Sequence, residues 1–151
     1  MVKKRSKKQL NLILIGVLLI LIDQLVKYLA ISNLTFHQPI AVIKNFFYLT
    51  LTTNTGVGFG LLKNTNTLLI FLTIMIIGGV LYFYEYLPKS KNAQLAITLI
   101  LAGAFSNLID RIFRNHIIDF LDFRVWPIFN IADICITLGA IYLMIYYLKK
   151  K

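Results

Sequence analysis

Six of the 151 residues are acidic, and four of these, Asp110, Asp119, Asp122 and Asp133, fall in the stretch that links two strongly apolar segments. Only Asp23 and Glu85 lie elsewhere. Inserting an Asp at a helix centre into a bilayer costs roughly 2.5–3.5 kcal/mol, so carboxylates gathered at one membrane face need a chemical reason. Two carboxylates held about 3–5 Å apart do not both ionise readily, and one keeps a proton near neutral pH. Such a pair supplies a base and an acid from identical side chains, as water-activating peptide hydrolysis requires. It titrates as a unit.

Helical spacing groups the polar residues that could build such a site. Asn107, Asp110 and Arg111 stand at i, i+3 and i+4 and share one helix face. Asn130 and Asp133 repeat the i, i+3 relation, and the connection between the two segments supplies Asp119 and Asp122. Each residue also has a plainer reading. Asn130 with Asp133 reads as a helix N-cap, Asp110 beside Arg111 as a structural ion pair, and Asp23 with Lys27 as an intrahelical pair. Asp122 reads as a solvated loop acid, and Asn54-Thr55-Gly56 as a turn. These readings explain the residues singly but not their convergence on one face. Cys135 is a lone packing residue, and His37 and His116 are far apart, so no metal centre is expected.

The elements that must position these groups are apolar. The chain is 58% hydrophobic with a net charge of +10, and its mean hydropathy of +0.76 places it in the membrane class. Its length allows one bundle and no second domain. Spans are expected at about residues 10–30, 67–87, 93–113 and 129–148, with an outer β segment at about 40–62, rich in aromatic and β-branched residues. The first span follows a basic start but is too long for a signal-peptide core, so it reads as an uncleaved helix. Ten Lys and Arg fall at the two ends and in the 88–92 turn, against five on the other side, which puts both termini in the cytoplasm. Basic residues at the ends of apolar runs argue for topology rather than nucleic-acid binding.

Five blocks in order then resemble lipoprotein signal peptidase, also called signal peptidase II: Asp23-x-x-x-Lys27, Asn54-x-Gly56-x-x-Phe59-Gly60, Asn107-x-x-Asp110-Arg111, Ile118-Asp119-Phe120 and Phe129-Asn130-x-Ala132-Asp133. The resemblance implies a multi-pass aspartic endopeptidase of the bacterial cytoplasmic (inner) membrane, with no cofactor and no metal. Its fold would be an all-α membrane bundle of four transmembrane helices with a small extracytoplasmic β-cradle and a lid. It would cut diacylglyceryl-modified prolipoproteins immediately before the lipidated cysteine, near the extracytoplasmic face. By the same resemblance Asp119 and Asp133 are the catalytic pair, and Asn54, Gly56, Asn107, Arg111 and Asn130 meet the substrate. Asp23, Lys27 and Asp110 support them, and Ser106 stands where the family usually carries glycine. The implied partners are prolipoproteins and membrane lipids, with no nucleic acid, and the protein is expected to act as a monomer.

Three other classes make different demands. A proton-coupled transporter would place its carboxylates near the bilayer midplane on discontinuous helices. A lipid phosphotransferase holding Mg²⁺ on its acids would lose activity to a chelator. A non-catalytic assembly subunit would tolerate Asp119→Asn and Asp133→Asn alike.

Overall fold

In the computed structural model, which describes residues 7–56 and 65–150, four helices and three strands follow from local signals in the sequence. Helix α1 (Lys7–Asn33) is followed by strands β1 (Ile40–Ile43) and β2 (Phe47–Asn54) and by helix α2 (Asn66–Tyr82). A 3-10 turn (Tyr84–Tyr86), helix α3 (Lys91–Arg114), strand β3 (Ile117–Asp122) and helix α4 (Ile131–Leu148) complete the order.

Helix α3 begins where Ser90 caps it, its side chain accepting from the Ala93 N–H at 3.3 Å. It ends at Asn115, whose left-handed backbone (φ 62°) returns its N–H to the Arg111 carbonyl. Arg111 and Arg114 in its last turn suit the negative end of the helix dipole. Helix α4 opens with a full capping box: the Asn130 side chain accepts from the Asp133 N–H, and the Asp133 carboxylate accepts from the Asn130 N–H.

Helices α3 and α4 pack closely because both carry glycine where they meet. A Cβ on Gly103 would lie 2.4 Å from the Ala132 carbonyl oxygen, and one on Gly139 would lie 2.5 Å from that of Ala96. Small residues that let backbones approach are the usual means of helix association where lipid removes the hydrophobic drive. Three helices, α1, α3 and α4, are long and apolar enough to cross a membrane. The span expected at 67–87 is instead a 17-residue helix followed by the 3-10 turn.

The strands form one antiparallel sheet in the order β1-β2-β3. The outer β segment expected at 40–62 is thus a pair of strands ending at Asn54, and residues 57–62 lie outside the described residues, as do Phe59 and Gly60 of the second block. The third strand comes from the 114–128 connection, which the sequence did not show as a strand. Pairing sets Thr52 opposite Asp119 and Asn54 opposite Ile117, with a bulge between Leu49 and Thr52. Leu51, Ile118 and Phe120 pack with Ala30 of α1 into a small apolar core. That core fixes the sheet to the bundle.

Candidate active site

Strand β3 and the start of α4 bring Asp119 and Asp133 to the end of the bundle where α3 finishes. Asn130, fully buried, joins them. Its amide nitrogen donates to the Asp119 carboxylate at 2.6 Å, and its backbone N–H donates to the Asp133 carboxylate at 3.3 Å. The capping contacts of Asn130 and Asp133 and the contact of Asn130 with Asp119 are therefore one arrangement.

Two further asparagines present N–H groups to the same carboxylates. Asn107 donates to Asp133 at 2.8 Å, and Asn54 donates to Asp119 at 3.2 Å. Each amide is turned by a donor on its own oxygen. Lys27 donates to the Asn107 oxygen at 2.9 Å, the Gly56 N–H to that of Asn54 at 3.0 Å, and the Asp133 N–H to that of Asn130 at 2.9 Å. Since an amide oxygen only accepts and its nitrogen only donates, these contacts leave the NH₂ groups facing the acids.

The pair lines a cavity of about 670 Å³ that also touches Asn54, Gly56, Asn107 and Arg111, with Trp126, Pro127 and Phe129 over it. Asp119 is buried while Asp133 is partly open. Burial, and after it the nearby Asp133 charge, push Asp119 from the ordinary 3.8 up to about 7; the donors Asn54 and Asn130 pull it the other way. Arg111 donates to the Gly56 carbonyl at 3.0 Å, and its buried Nε has no hydrogen-bond partner among the described residues. Its charge lies within reach of Asp133 and Asp119.

Beneath the site lies a buried polar cluster. The Lys27 ammonium spends its three protons on Asp23 at 2.7 Å, Asp110 at 2.8 Å and Asn107. Asp23 also accepts from the Ala132 N–H at 2.9 Å, at the start of α4, and from Ser106 at 2.6 Å. Asp110 pairs with Arg114, not with Arg111 as the sequence suggested. Adjacent helix positions point apart, whereas positions four apart meet. Asp23 and Asp110 against Lys27 and Arg114 leave the cluster neutral, which makes its burial tolerable.

Asp122 corrects a second expectation. It is buried rather than solvated, and accepts from Thr50 at 2.8 Å and from the Arg124 N–H at 2.9 Å. The Arg124 guanidinium lies 3.8 Å from the Tyr48 ring centre. The loop from Phe123 to Ile128 is pinned at its base by Phe129, whose carbonyl accepts from Phe120 and Leu121. Its tip, Val125, is 91% exposed. Gln24, Arg114 and Asn66 also join the polar framework. Arg114 was findable from its spacing to Asp110; Gln24 and Asn66 carried no comparable signal.

The signal peptidase (SPase) II family model matches residues 15–149. The chain is 38% identical over 138 residues to a lipoprotein signal peptidase of Halothermothrix orenii, covering 91% of this chain and 95% of that one. It is 40% identical over 132 residues to one from Moorella thermoacetica, covering 87% and 88%. A solved bacterial membrane enzyme superposes with a TM-score of 0.84 at 35% identity, covering 92% of this chain and 88% of the other.

Proposed function

This chain belongs to the signal peptidase II family and is a peptidase, and we propose that its Asp119 and Asp133 form the water-activating pair that cuts diacylglyceryl-modified prolipoproteins immediately before the lipidated cysteine. The observation that carries this reading is the Asn130 bridge, which holds one buried and one half-open carboxylate at a single cavity.

The ionised member of the pair takes a proton from water, whose oxygen attacks the peptide carbonyl carbon. The protonated member donates to the carbonyl oxygen as its negative charge develops. The tetrahedral diol then collapses: one hydroxyl returns its proton to the ionised carboxylate as the C=O re-forms, the C–N bond breaks, and the departing amine takes up the proton of the other acid. One proton is shared throughout, so the two acids act and titrate together. The three asparagine amides hold both carboxylates in place at no cost of rearrangement during the step. Asn54, Gly56, Asn107, Arg111 and Asn130 line the surroundings of that bond, and the Arg111 Nε–H, without an acceptor among the described residues, suits a substrate carbonyl. Asp23, Lys27 and Asp110 support them from below.

The whole chain acts as one membrane domain, a monomer with α2 as a fourth span and both termini in the cytoplasm. The basic ends and the lysines of the 88–92 turn support that orientation. The pair then sits near the extracytoplasmic face of the bacterial cytoplasmic membrane, at the depth of a bond next to a lipid anchor. Confinement in the bilayer supplies much of the positioning, and the 123–128 loop serves as the lid.

Turnover of a precursor carrying diacylglyceryl-cysteine, beside the same precursor without its lipid, tests this with EDTA present. The expected result is cleavage of the lipidated form alone, with product masses placing the cut just before the modified cysteine. Equal cleavage of both forms, or loss of activity to EDTA, would refute it.

A further inference from the structure

A groove of about 440 Å³ lies well away from the Asp pair, between the first halves of α1 and α3, with Tyr84 at its mouth. We propose that it binds one anionic phospholipid, the acyl chain lying in the groove and the phosphate held by Lys8, Lys89 and Lys91.

The dimensions select a lipid chain over a protein helix. The groove runs from Gln9 to Ile20 on α1 and from Gln94 to Phe105 on α3. Eleven residue steps at ~1.5 Å give about 16 Å, half of a ~30 Å hydrocarbon core and so the depth of one leaflet. A spanning helix of a second copy would need a seam along the full length.

The mouth is built of polar groups, and three lysines stand near its lining residues in the chain. Gln94 is buried there, its oxygen accepting from the Tyr84 hydroxyl and its nitrogen donating to the Pro88 carbonyl at 2.5 Å. Lys89 donates to the Tyr84 carbonyl at 2.7 Å and stands 4.5 Å from the Tyr84 ring centre, leaving protons for a phosphate. Lys8 lies on the α1 stripe of Leu12 and Gly16, and Lys91 on the α3 stripe of Gln94 and Thr98. Glu85, the acidic residue of the neighbouring turn, lines a separate hollow with Tyr82, Phe83 and Tyr86. Charge and depth thus match an anionic headgroup above a single chain.

The far end of the groove stops beside the buried cluster. Phe105 precedes Ser106, and Ile20 lies one turn before Gln24, which donates to Ser106 and Asp110. A chain in the groove braces α1 against α3 at the level that holds Asp23 and Lys27.

Native mass spectrometry of the full-length protein tests the site, with phosphatidylglycerol and phosphatidylcholine of identical acyl chains as probes. One phosphatidylglycerol should remain bound in preference to phosphatidylcholine. Changing Lys8→Gln, Lys89→Gln and Lys91→Gln, all on the surface, should weaken it about fivefold for each lysine removed at low salt. Val17→Trp, at a half-exposed position of the groove wall, should lower retention of both lipids by crowding the chain. Equal retention of the two lipids, binding unchanged in either the lysine set or Val17→Trp, or a second copy seated in the groove would overturn the proposal.

Discussion

The side-chain amide of Asn130 donates to Asp119 at 2.6 Å, while the same residue caps the helix that carries Asp133. One asparagine therefore sets both the start of α4 and the spacing of the two acids. Asn130→Ser separates these duties, because serine caps a helix about as well as asparagine. Thermal unfolding should shift by about 1–3 kcal/mol, because the buried Asp119 carboxylate and Ile118 carbonyl lose this donor while the cap stays, whereas kcat should fall about 10- to 100-fold in a lipopeptide cleavage assay. Unchanged kcat would leave Asn130 as a cap alone.

The raised Asp119 gives the reaction an alkaline limit. Above about pH 7 Asp119 ionises and the pair loses its proton donor, so kcat/KM should fall as pH rises through that value. Asn54 favours the charged form of Asp119 by donating to it. In Asn54→Ala the proton is held to higher pH, and the alkaline limb should move upward. A pH profile of both proteins checks the direction.

Linkage gives the same group a stability signature. Folded Asp119 keeps its proton up to about 7, whereas the unfolded chain releases it near 3.8. The native state therefore binds more protons in this window, and the contribution of Asp119 to stability, fully present below 3.8, is lost as pH rises through 7. Asp119→Asn should unfold at a higher temperature than the native chain at about pH 8, the gap closing toward about pH 4. A gap that widened on acidification would contradict the assignment.

Lys27 joins Asp23, Asp110 and Asn107 in one buried cluster. Lys27→Met leaves two buried carboxylates without their shared cation, an effect of about 3–5 kcal/mol. Loss of folded protein in detergent, read by size exclusion and thermal unfolding, should accompany loss of cleavage.

Gly103 tests the closeness of α3 and α4. In Gly103→Ala the new Cβ meets the Ala132 carbonyl oxygen and must push the start of α4 away, carrying Asn130 and Asp133 from Asn107. A cost of about 1–3 kcal/mol is expected, with a larger fall in kcat than Asn130→Ser shows.

The helices were legible because 20-residue apolar runs have few other uses, and the polar residues that meet at one cavity because they fall in short blocks with a fixed order. Strand β3 was harder to read. Ile117, Ile118, Phe120 and Leu121 favour a strand, but Asp119 and Asp122 interrupt the apolar pattern and made it resemble a loop. Asp122 was misjudged for the same reason, since its partner Thr50 is 72 residues away. The Lys27 cluster depends on contacts between α1, α3 and the start of α4, and no local spacing encodes those. Its two i, i+4 pairs, Asp23 with Lys27 and Asp110 with Arg114, are the parts that spacing in the chain can show.

Cleavage of a diacylglyceryl-cysteine precursor by purified Asp119→Asn and Asp133→Asn proteins, each shown to be folded, tests the central claim most directly. Both substitutions should lower turnover by about 10²–10⁴-fold or more. Turnover close to the native rate in either protein would show that the two acids are not the pair that activates water.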